Sequence, residues 1–411
     1  MTESDDATSE TRPARRRSRL GRRVRVGALG LGVVLLVLAV AFFTYAPGKL
    51  ERMRNRVEPA DLPTVSPATQ RLHDSLQVVD LHSDTLLWDR DLLESADRGH
   101  MDLPRLEEGN VALQVFSSVS KSPKGQNYDS NSADSDNITL LAIAQLQPLR
   151  TWRSLLQRSL HHAQKLHDAA EGSGGRLRLV RSVADLDAVL AARAAGEQVT
   201  GALFSVEGLH NLEGDIRNLD RLEAAGMRMA GFTHFFDNEV AGSMHGEDKG
   251  GLTDLGREVF AELEELGIVV DIAHASHEAV AEMLELATKP LVLSHGGVQA
   301  TCDVNRNLTD DEIRGVAATG GVVGVGYWDA AVCELTVSAV VDAIDHVVAV
   351  GGIEAAALGS DYDGATTVGW DTTHLAAITQ ELLDRGYDEQ EVAAIMGGNT
   401  LRVLRRVLPA G

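Results

Sequence analysis

From about residue 71 to the end of the chain, eight short apolar runs of β-type residues alternate with amphipathic helical patterns. The runs are LQVVDLH (76–82), VALQVFSS (111–118), GALFSVE (201–207), RMAGFTH (228–234), IVVDIAH (268–274), LVLSH (291–295), GVVGVGY (321–327) and AAALGSD (355–361). Between most of them lie helical patterns such as SLLQRSLHHAQKLHDAA, LGREVFAELEELG and DDEIRGVAATG, and several of these end in Gly, a common helix stop. Continuous apolar strands separated by helices call for a parallel sheet with helices on its faces. Eight strands over this length fit a (β/α)8 barrel, TIM-like and of α/β class, better than an open doubly wound sheet. No Gly-rich dinucleotide fingerprint follows the first run, which also disfavours the open sheet. The polar segment 120–137 reads as a loop over the barrel mouth.

The ends of these runs carry unexpected polar residues. The first ends in His82 and Asp84, the third in Glu207, the fourth in His234, the fifth in His274, the sixth in His295 and the eighth in Asp361. In a parallel barrel all strand carboxyl ends open onto one face, so these residues converge in space. A lone His at a strand end is more often a hydrogen-bonded structural residue than a ligand; the joint arrangement is what points to a metal. His and carboxylate donors suit zinc and related divalent ions. Three His and two carboxylates exceed what one catalytic zinc takes from protein while keeping an open position, and a two-metal site accommodates them. Glu207 is the candidate bridge, since its strand lies between the two ligand groups in chain order. Asp80 reads as a supporting residue beneath His82. His73, His100, His161, His162, His167, His277, His346 and His374 sit in helical or loop patterns and read as surface or core; His210 and His245 lie near mouth loops without an assigned role.

The amino terminus is different in kind. Residues 1–25 are polar and rich in Arg, and residues 26–46 (VGALGLGVVLLVLAVAFFTYA) carry no charge. At about 1.5 Å per residue a helix of this length spans a bilayer core of about 30 Å. The Arg cluster marks the retained side, which reads as a signal anchor with a cytoplasmic amino terminus and the bulk of the chain outside the cytoplasm. The alternative is a cleaved signal peptide, for which Ala39-Val40-Ala41 offers a small-residue site. Residues 47–70, with four prolines, read as an extended tether to a domain at 71–408. Lys and Arg total 38 against 60 Asp and Glu, a net charge of −22, which excludes nucleic acid as a partner for the body of the chain. The two cysteines, Cys302 and Cys333, rule out a disulfide scaffold and a four-thiolate zinc site but permit one bridge in an exported domain.

The motifs VVDLHSD, SVEGLHNLEGD, GFTHFFDNEVAGS, GIVVDIAHAS, LVLSHGG with VNRNLTDDEI, and GSDYDG, in that order, resemble the membrane dipeptidase (renal dipeptidase) family of zinc peptidases. The resemblance runs from about residue 71 to 408 and implies a metal-dependent hydrolase barrel. It implies His82 and Asp84 as ligands of one zinc, His274 and His295 as ligands of a second, and Glu207 as the bridge. It also implies that His234 contacts substrate and the tetrahedral intermediate, that Arg306 binds the substrate carboxylate, and that Asp361 handles protons. Cys302 and Cys333 fall where a family disulfide lies. The implied activity is hydrolysis of dipeptides by a hydroxide bridging two zinc ions, with D-residues tolerated at the carboxyl end; members are often homodimers. Two other readings keep the same barrel: a different amidohydrolase, which would not need Arg306, and a membrane-tethered binding protein without turnover.

Overall fold

The eight runs become eight parallel strands: β1 Val78–Ser83, β2 Val111–Phe116, β3 Thr200–Glu207, β4 Met227–Gly231, β5 Val269–Asp271, β6 Val292–Gly296, β7 Val322–Val325 and β8 Ala356–Leu358. This is seen in a computed structural model that describes residues 15–411. Each strand hydrogen-bonds to the next in chain order, from β1 to β8. The ring comes close to closing between β8 and β1: Asp84 N donates to Tyr362 O (2.9 Å) and Ser360 N to Asp80 Oδ1 (2.9 Å). The result is a nearly closed eight-stranded α/β barrel.

Every residue of these strands is buried, which explains why they read as unbroken apolar runs rather than alternating ones. The period of two still sorts their side chains. Val79, Leu81, Leu113, Leu203 and Met229 pack in one cluster with Leu401 and Leu404 of the terminal helix Asn399–Val407. Their alternate neighbours Val78, Ala202, Phe204, Val206 and Val323 pack in another with Leu222, Leu263, Met283 and Ile313 of the surrounding helices. Those helices start where short polar side chains cap them. Ser154, Thr253, Ser276 and Thr309 each accept from a backbone N–H in the first turn, and Thr309 forms a full capping box with Glu312. A cap of this kind contributes about 1 kcal/mol. Gly267 and Gly320 end two of the helices in the left-handed conformation, at φ 71° and 79°. A short strand at Leu177–Leu179 pairs outside the ring with β3 and was not expected from the sequence.

The chain divides into two compact units, up to Ala46 and from Pro47 to Gly411. In the first, the helix Arg15–Arg54 begins, and its stretch from Arg22 is long and apolar enough to cross a membrane. Of the basic segment 1–25, residues 1–14 lie outside the described residues.

The expected extended tether at 47–70 is not found. The helix continues through Pro47 to Arg54, and Glu51 and Asn55 are buried. Arg56–Val57 then pairs in parallel with Thr367–Val368, with Glu58 N donating to Val368 O (2.9 Å) and Ala60 N to Gly369 O (3.1 Å). Pro67 opens the helix Pro67–Ser75 behind a Ser66 cap. The prolines misled because Pro67 occupies the first helical turn, where its missing N–H is not needed, and Pro47 interrupts only one hydrogen bond of a long helix.

Cys302 and Cys333 are joined in a disulfide with Cα atoms 5.4 Å apart, tying the segment after β6 to the segment after β7. The bridge closes a loop spanning 31 positions, and chain entropy assigns such a closure about 3–4 kcal/mol of stability. Replacing both cysteines by serine is expected to lower the urea midpoint accordingly. An unchanged midpoint, measured without reductant, would refute a stabilising role.

Candidate metal centre and active site

The strand ends deliver the polar residues to one face. His82 lies within β1 and Asp84 is the first residue beyond it; Glu207 is the last residue of β3 and His295 lies within β6. His234, His274 and Asp361 each stand three residues past the end of β4, β5 and β8. His274 and Asp361 take positive φ, 63° and 57°, conformations that a non-Gly residue keeps only when its surroundings hold it there.

Glu207 is the meeting point. Its Oε1 lies 2.9 Å from His274 Nε2, 3.3 Å from His295 Nε2 and 3.8 Å from His82 Nε2, and its Oε2 lies 3.5 Å from His234 Nε2. His82 Nε2 is 3.7 Å from Asp84 Oδ1, and the Nε2 atoms of His274 and His295 face each other at 3.0 Å. All of these side chains are buried. Among the described residues, His82 Nε2, Asp84 Oδ1 and Glu207 Oε2 have no hydrogen-bond partner. Buried polar atoms without partners are costly, and a converging set of nitrogen and carboxylate lone pairs is the donor chemistry of a divalent cation. The residues therefore fit a metal.

Three groups bring one ligand atom each within 4.8 Å of the others: His82, Asp84 and Glu207; Glu207, His234 and His274; and His82, Asp271 and His295. In the first two Glu207 is shared. Asp271 is the weakest ligand candidate because its oxygens are already engaged. Oδ1 accepts from Ala273 N (3.0 Å) and Ser294 N (2.9 Å), and Oδ2 from Ser294 Oγ (2.6 Å). Ser294 Oγ lies 2.9 Å from His295 Nδ1 and 3.3 Å from His82 Nδ1, on the far side of each ring from the Nε2 that faces Glu207. Asp271 and Ser294 thus orient two histidines at once, a supporting layer of the kind metal sites require. Neither was picked out in the sequence. The available signal was the repeat of VVDLH in VVDIAH: Asp80 Oδ1 accepts from His82 N (3.1 Å) just as Asp271 Oδ1 accepts from Ala273 N.

Charge at the centre follows from burial and neighbours. Burial alone would lower the His82 pKa, but the carboxylates of Glu207 and Asp84 outweigh it and push it from 6.5 up to about 10. Burial dominates at His274 and His295, which fall well below the usual value and keep their lone pairs at neutral pH. Burial would raise Glu207, yet the surrounding imidazoles hold it well below the carboxylate range. Asp361 goes the other way: burial pushes it well above that range, and Asp84 and Glu207 add to the effect while His82 opposes it.

Arg306 is also buried at this face. Its guanidinium carbon sits 4.5 Å over the Trp328 ring, one of its terminal nitrogens donates to His295 O (3.2 Å), and its Nε has no partner among the described residues. The loop 120–137 reaches the same place. His245 Nδ1 lies 2.9 Å from Tyr128 O, and His234 Nδ1 lies 3.2 Å from Lys121 O. His245 stacks on Phe235 with ring centroids 4.5 Å apart, and His210 Nε2 lies 2.9 Å from Ser120 Oγ. Several of the helical and loop histidines outside this face have ordinary partners, such as Thr379 for His73 and Ser118 for His162.

A nearly closed parallel barrel with buried His and carboxylate donors at its strand ends defines a metal-dependent hydrolase. The model of the membrane dipeptidase family, peptidase family M19, matches residues 67–410, and the chain belongs to that family of metallopeptidases, in which it is a dipeptidase. Dipeptidase aclJ of Aspergillus oryzae is 28% identical over 396 residues, covering 90% of this chain and 87% of that protein. An uncharacterized protein in the pqqA 5' region of Klebsiella pneumoniae is 32% identical over 250 residues, 57% of this chain and 90% of its own length. Dipeptidase 3 of Mus musculus is 28% identical, covering 80% of this chain and 64% of its own length. Among solved structures, the probable dipeptidase PvdM from Pseudomonas aeruginosa superposes with a TM-score of 0.69 at 20% identity, over 83% of this chain and 98% of that one. A metallo peptidase from Rhodobacter sphaeroides, liganded with a phosphinate mimic of the dipeptide L-Ala-D-Ala, does so with 0.65 at 23% identity, over 81% and 99%.

Below about pH 10 the metal-free centre holds a proton on His82, and a cation binding there must displace it. Titration of the metal-free protein with zinc at pH 7, in buffers of different ionisation enthalpy, is expected to show proton release that shrinks as the pH rises through about 10. Ser294→Ala is expected to weaken metal binding roughly 10–100-fold without removing a ligand. Unaltered affinity would show that the histidines need no such support.

Proposed function

We propose that the chain is a zinc-dependent membrane dipeptidase that holds two zinc ions and cleaves dipeptides bearing a free carboxyl terminus. The observation that carries this reading is the Glu207 carboxylate, which is shared by two groups of buried donors, one with His82 and Asp84 and one with His234 and His274, and whose Oε1 also lies 3.3 Å from His295 Nε2. His82 and Asp84 would hold one ion and His274 and His295 the other, with Glu207 between them. Zinc is favoured by the His and carboxylate donors, since both cysteines are taken up in the disulfide. The bound ions supply a Lewis acid for the scissile carbonyl and lower the pKa of water, so that hydroxide is available near neutral pH.

The chain's own residues do the rest. Asp361, whose burial makes its ionised form a stronger base than a free carboxylate, would take a proton from the attacking water and deliver it to the nitrogen of the leaving amine. His234 faces the reacting carbonyl. Its Nδ1 lies 3.2 Å from the Lys121 carbonyl, which orients the ring, and its Nε2 lies 3.5 Å from Glu207 Oε2, on the side of the centre. A donor to a developing oxyanion is commonly worth about 3 kcal/mol. Arg306, held against Trp328 with Nε free, offers a fork for the substrate's terminal carboxylate and so selects short substrates. Tolerance of a D-residue at that end is supported by the L-Ala-D-Ala mimic bound in the Rhodobacter sphaeroides relative. For localisation we favour a single-pass anchor, with the catalytic unit outside the cytoplasm, where its disulfide is stable.

Asp361→Asn is expected to leave metal content intact and lower kcat at least about 100-fold; retained turnover would remove Asp361 from the reaction. Arg306→Ala is expected to raise KM for free dipeptides and to erase their preference over carboxyl-amidated analogues. If the variant discriminates between the two as the parent does, the carboxylate is bound elsewhere. Metal analysis with a dipeptide panel, assayed with and without chelator, tests the activity as a whole.

A further inference from the structure

The turn that carries Asp361 is strained and held from outside the barrel. Asp361, Asp363 and Ala365 all take positive φ, 57°, 64° and 60°, and Gly364 runs so close to Asp361 that a Cβ there would lie 1.9 Å from its Oδ1. Gly364 N and Thr366 Oγ1 both donate to Asp361 O (3.1 and 3.0 Å) and close the turn locally, but three left-handed non-Gly residues in five positions also need holding from outside it. Asp363 receives the densest set. Its Oδ2 accepts from Thr85 Oγ1 (2.7 Å) and pairs with the Arg90 guanidinium; its Oδ1 accepts from His100 N (2.7 Å); its carbonyl accepts from Trp88 Nε1 (2.7 Å).

The outer half of this network comes from the last turn of the long helix and the residues just after it. Glu51 is 1% exposed; its Oε1 accepts from Arg90 Nε (2.5 Å) and its Oε2 from Arg98 Nε (2.7 Å). Arg90 thus stands between two buried carboxylates, Glu51 and Asp363. Asn55 Oδ1 accepts from Ala365 N (2.9 Å), and Arg56 N donates to Thr366 O (3.2 Å). No feature of membrane attachment requires a buried carboxylate or an amide aimed at this turn. A plain tether would leave both side chains in water.

We propose that Glu51 and Asn55 are positioning residues: they hold the turn 361–366 in the conformation that presents Asp361 to the centre. The inference rests on the reading of Asp361 as the proton-carrying group. It makes residues 47–60 part of the catalytic unit, and it holds for either fate of the amino terminus, because a cut near Ala41 leaves Glu51 and Asn55 in place.

The test uses the full chain in detergent, with Asn55→Ala and Glu51→Gln, and Glu58→Gln as a solvent-exposed control on the same segment. Metal content, kcat and KM on L-Ala-D-Ala, and amide hydrogen exchange over 361–368 are measured together. In the two positioning variants kcat is expected to fall roughly tenfold with KM within about twofold, the size of loss a small misplacement of a reacting group produces. Metal content is expected to match the parent. Exchange over 361–368 is expected to quicken roughly tenfold, in step with kcat, while the strand 200–207 is unaffected. Unchanged exchange over 361–368 overturns the proposal whatever kcat does, and so does faster exchange with parental kcat. If Glu51→Gln, which leaves two arginines short of a partner, does not accumulate as folded protein, Asn55→Ala decides, since it removes no charge. If the parent cleaves no dipeptide, the proposed function fails, and exchange alone decides whether the turn is held from this segment.

Discussion

Four imidazoles press on one buried carboxylate. Glu207 lies within 3.8 Å of His82, His234, His274 and His295, and each of those rings comes from a different strand or the turn just past it. Burying such a carboxylate costs several kcal/mol unless charge of the opposite sign is held against it. The rings supply part of that charge when protonated and a bound cation supplies it better. A barrel is suited to the arrangement because neighbouring strands bring their ends to the same rim at fixed spacing. Displace one strand by a residue and its ligand turns away from Glu207.

Rim geometry alone does not aim the rings. For His234 and His274 that depends on the turns just past β4 and β5, and for His82 and His295, which lie within their strands, on the groups behind their rings. Asp80 and Asp271 each accept from a backbone N–H two residues ahead, and the same Asp oxygens accept from Ser360 N and Ser294 N across the ring. Each Asp therefore bends its own strand end and ties it to a neighbour. Their cost is burial of two more carboxyl groups, both driven toward the protonated form by desolvation. Ser294 joins the two halves, since one hydroxyl touches Asp271, His295 and His82.

The eight strands were legible in the sequence because both of their faces are buried, and the residue types follow directly. The rim residues were legible because a His, Asp or Glu at the end of an apolar run has few other reasons to be there. Asp271 and Ser294 were not, since their partners come from other strands and a buried Asp with backbone partners has no periodic signature. The segment 47–60 was misread for a related reason. Proline content suggests an extended chain, but whether Glu51 is solvated or buried depends on Arg90 and Arg98, some forty positions away. The strand Leu177–Leu179 is too short to carry a pattern of its own.

The disulfide orders the rim as well as closing a loop. It joins the segment that holds Arg306 to the one that follows Trp328, and Asn307 Nδ2 donates to both Cys302 O and Ala331 O, each at 2.9 Å. The backbone segments that carry the guanidinium and the indole it lies over are therefore tied together by a covalent bond and two hydrogen bonds. Ordering a flexible Arg side chain costs about 0.5–1.5 kcal/mol of side-chain entropy, and much of that cost is already met here in folding. The same logic covers the turn at Asp361, where strain is offset by Arg90, His100 and Asn55 before any substrate arrives. In both places order at the rim comes from loops and the amino-terminal segment, while the barrel strands supply the donors.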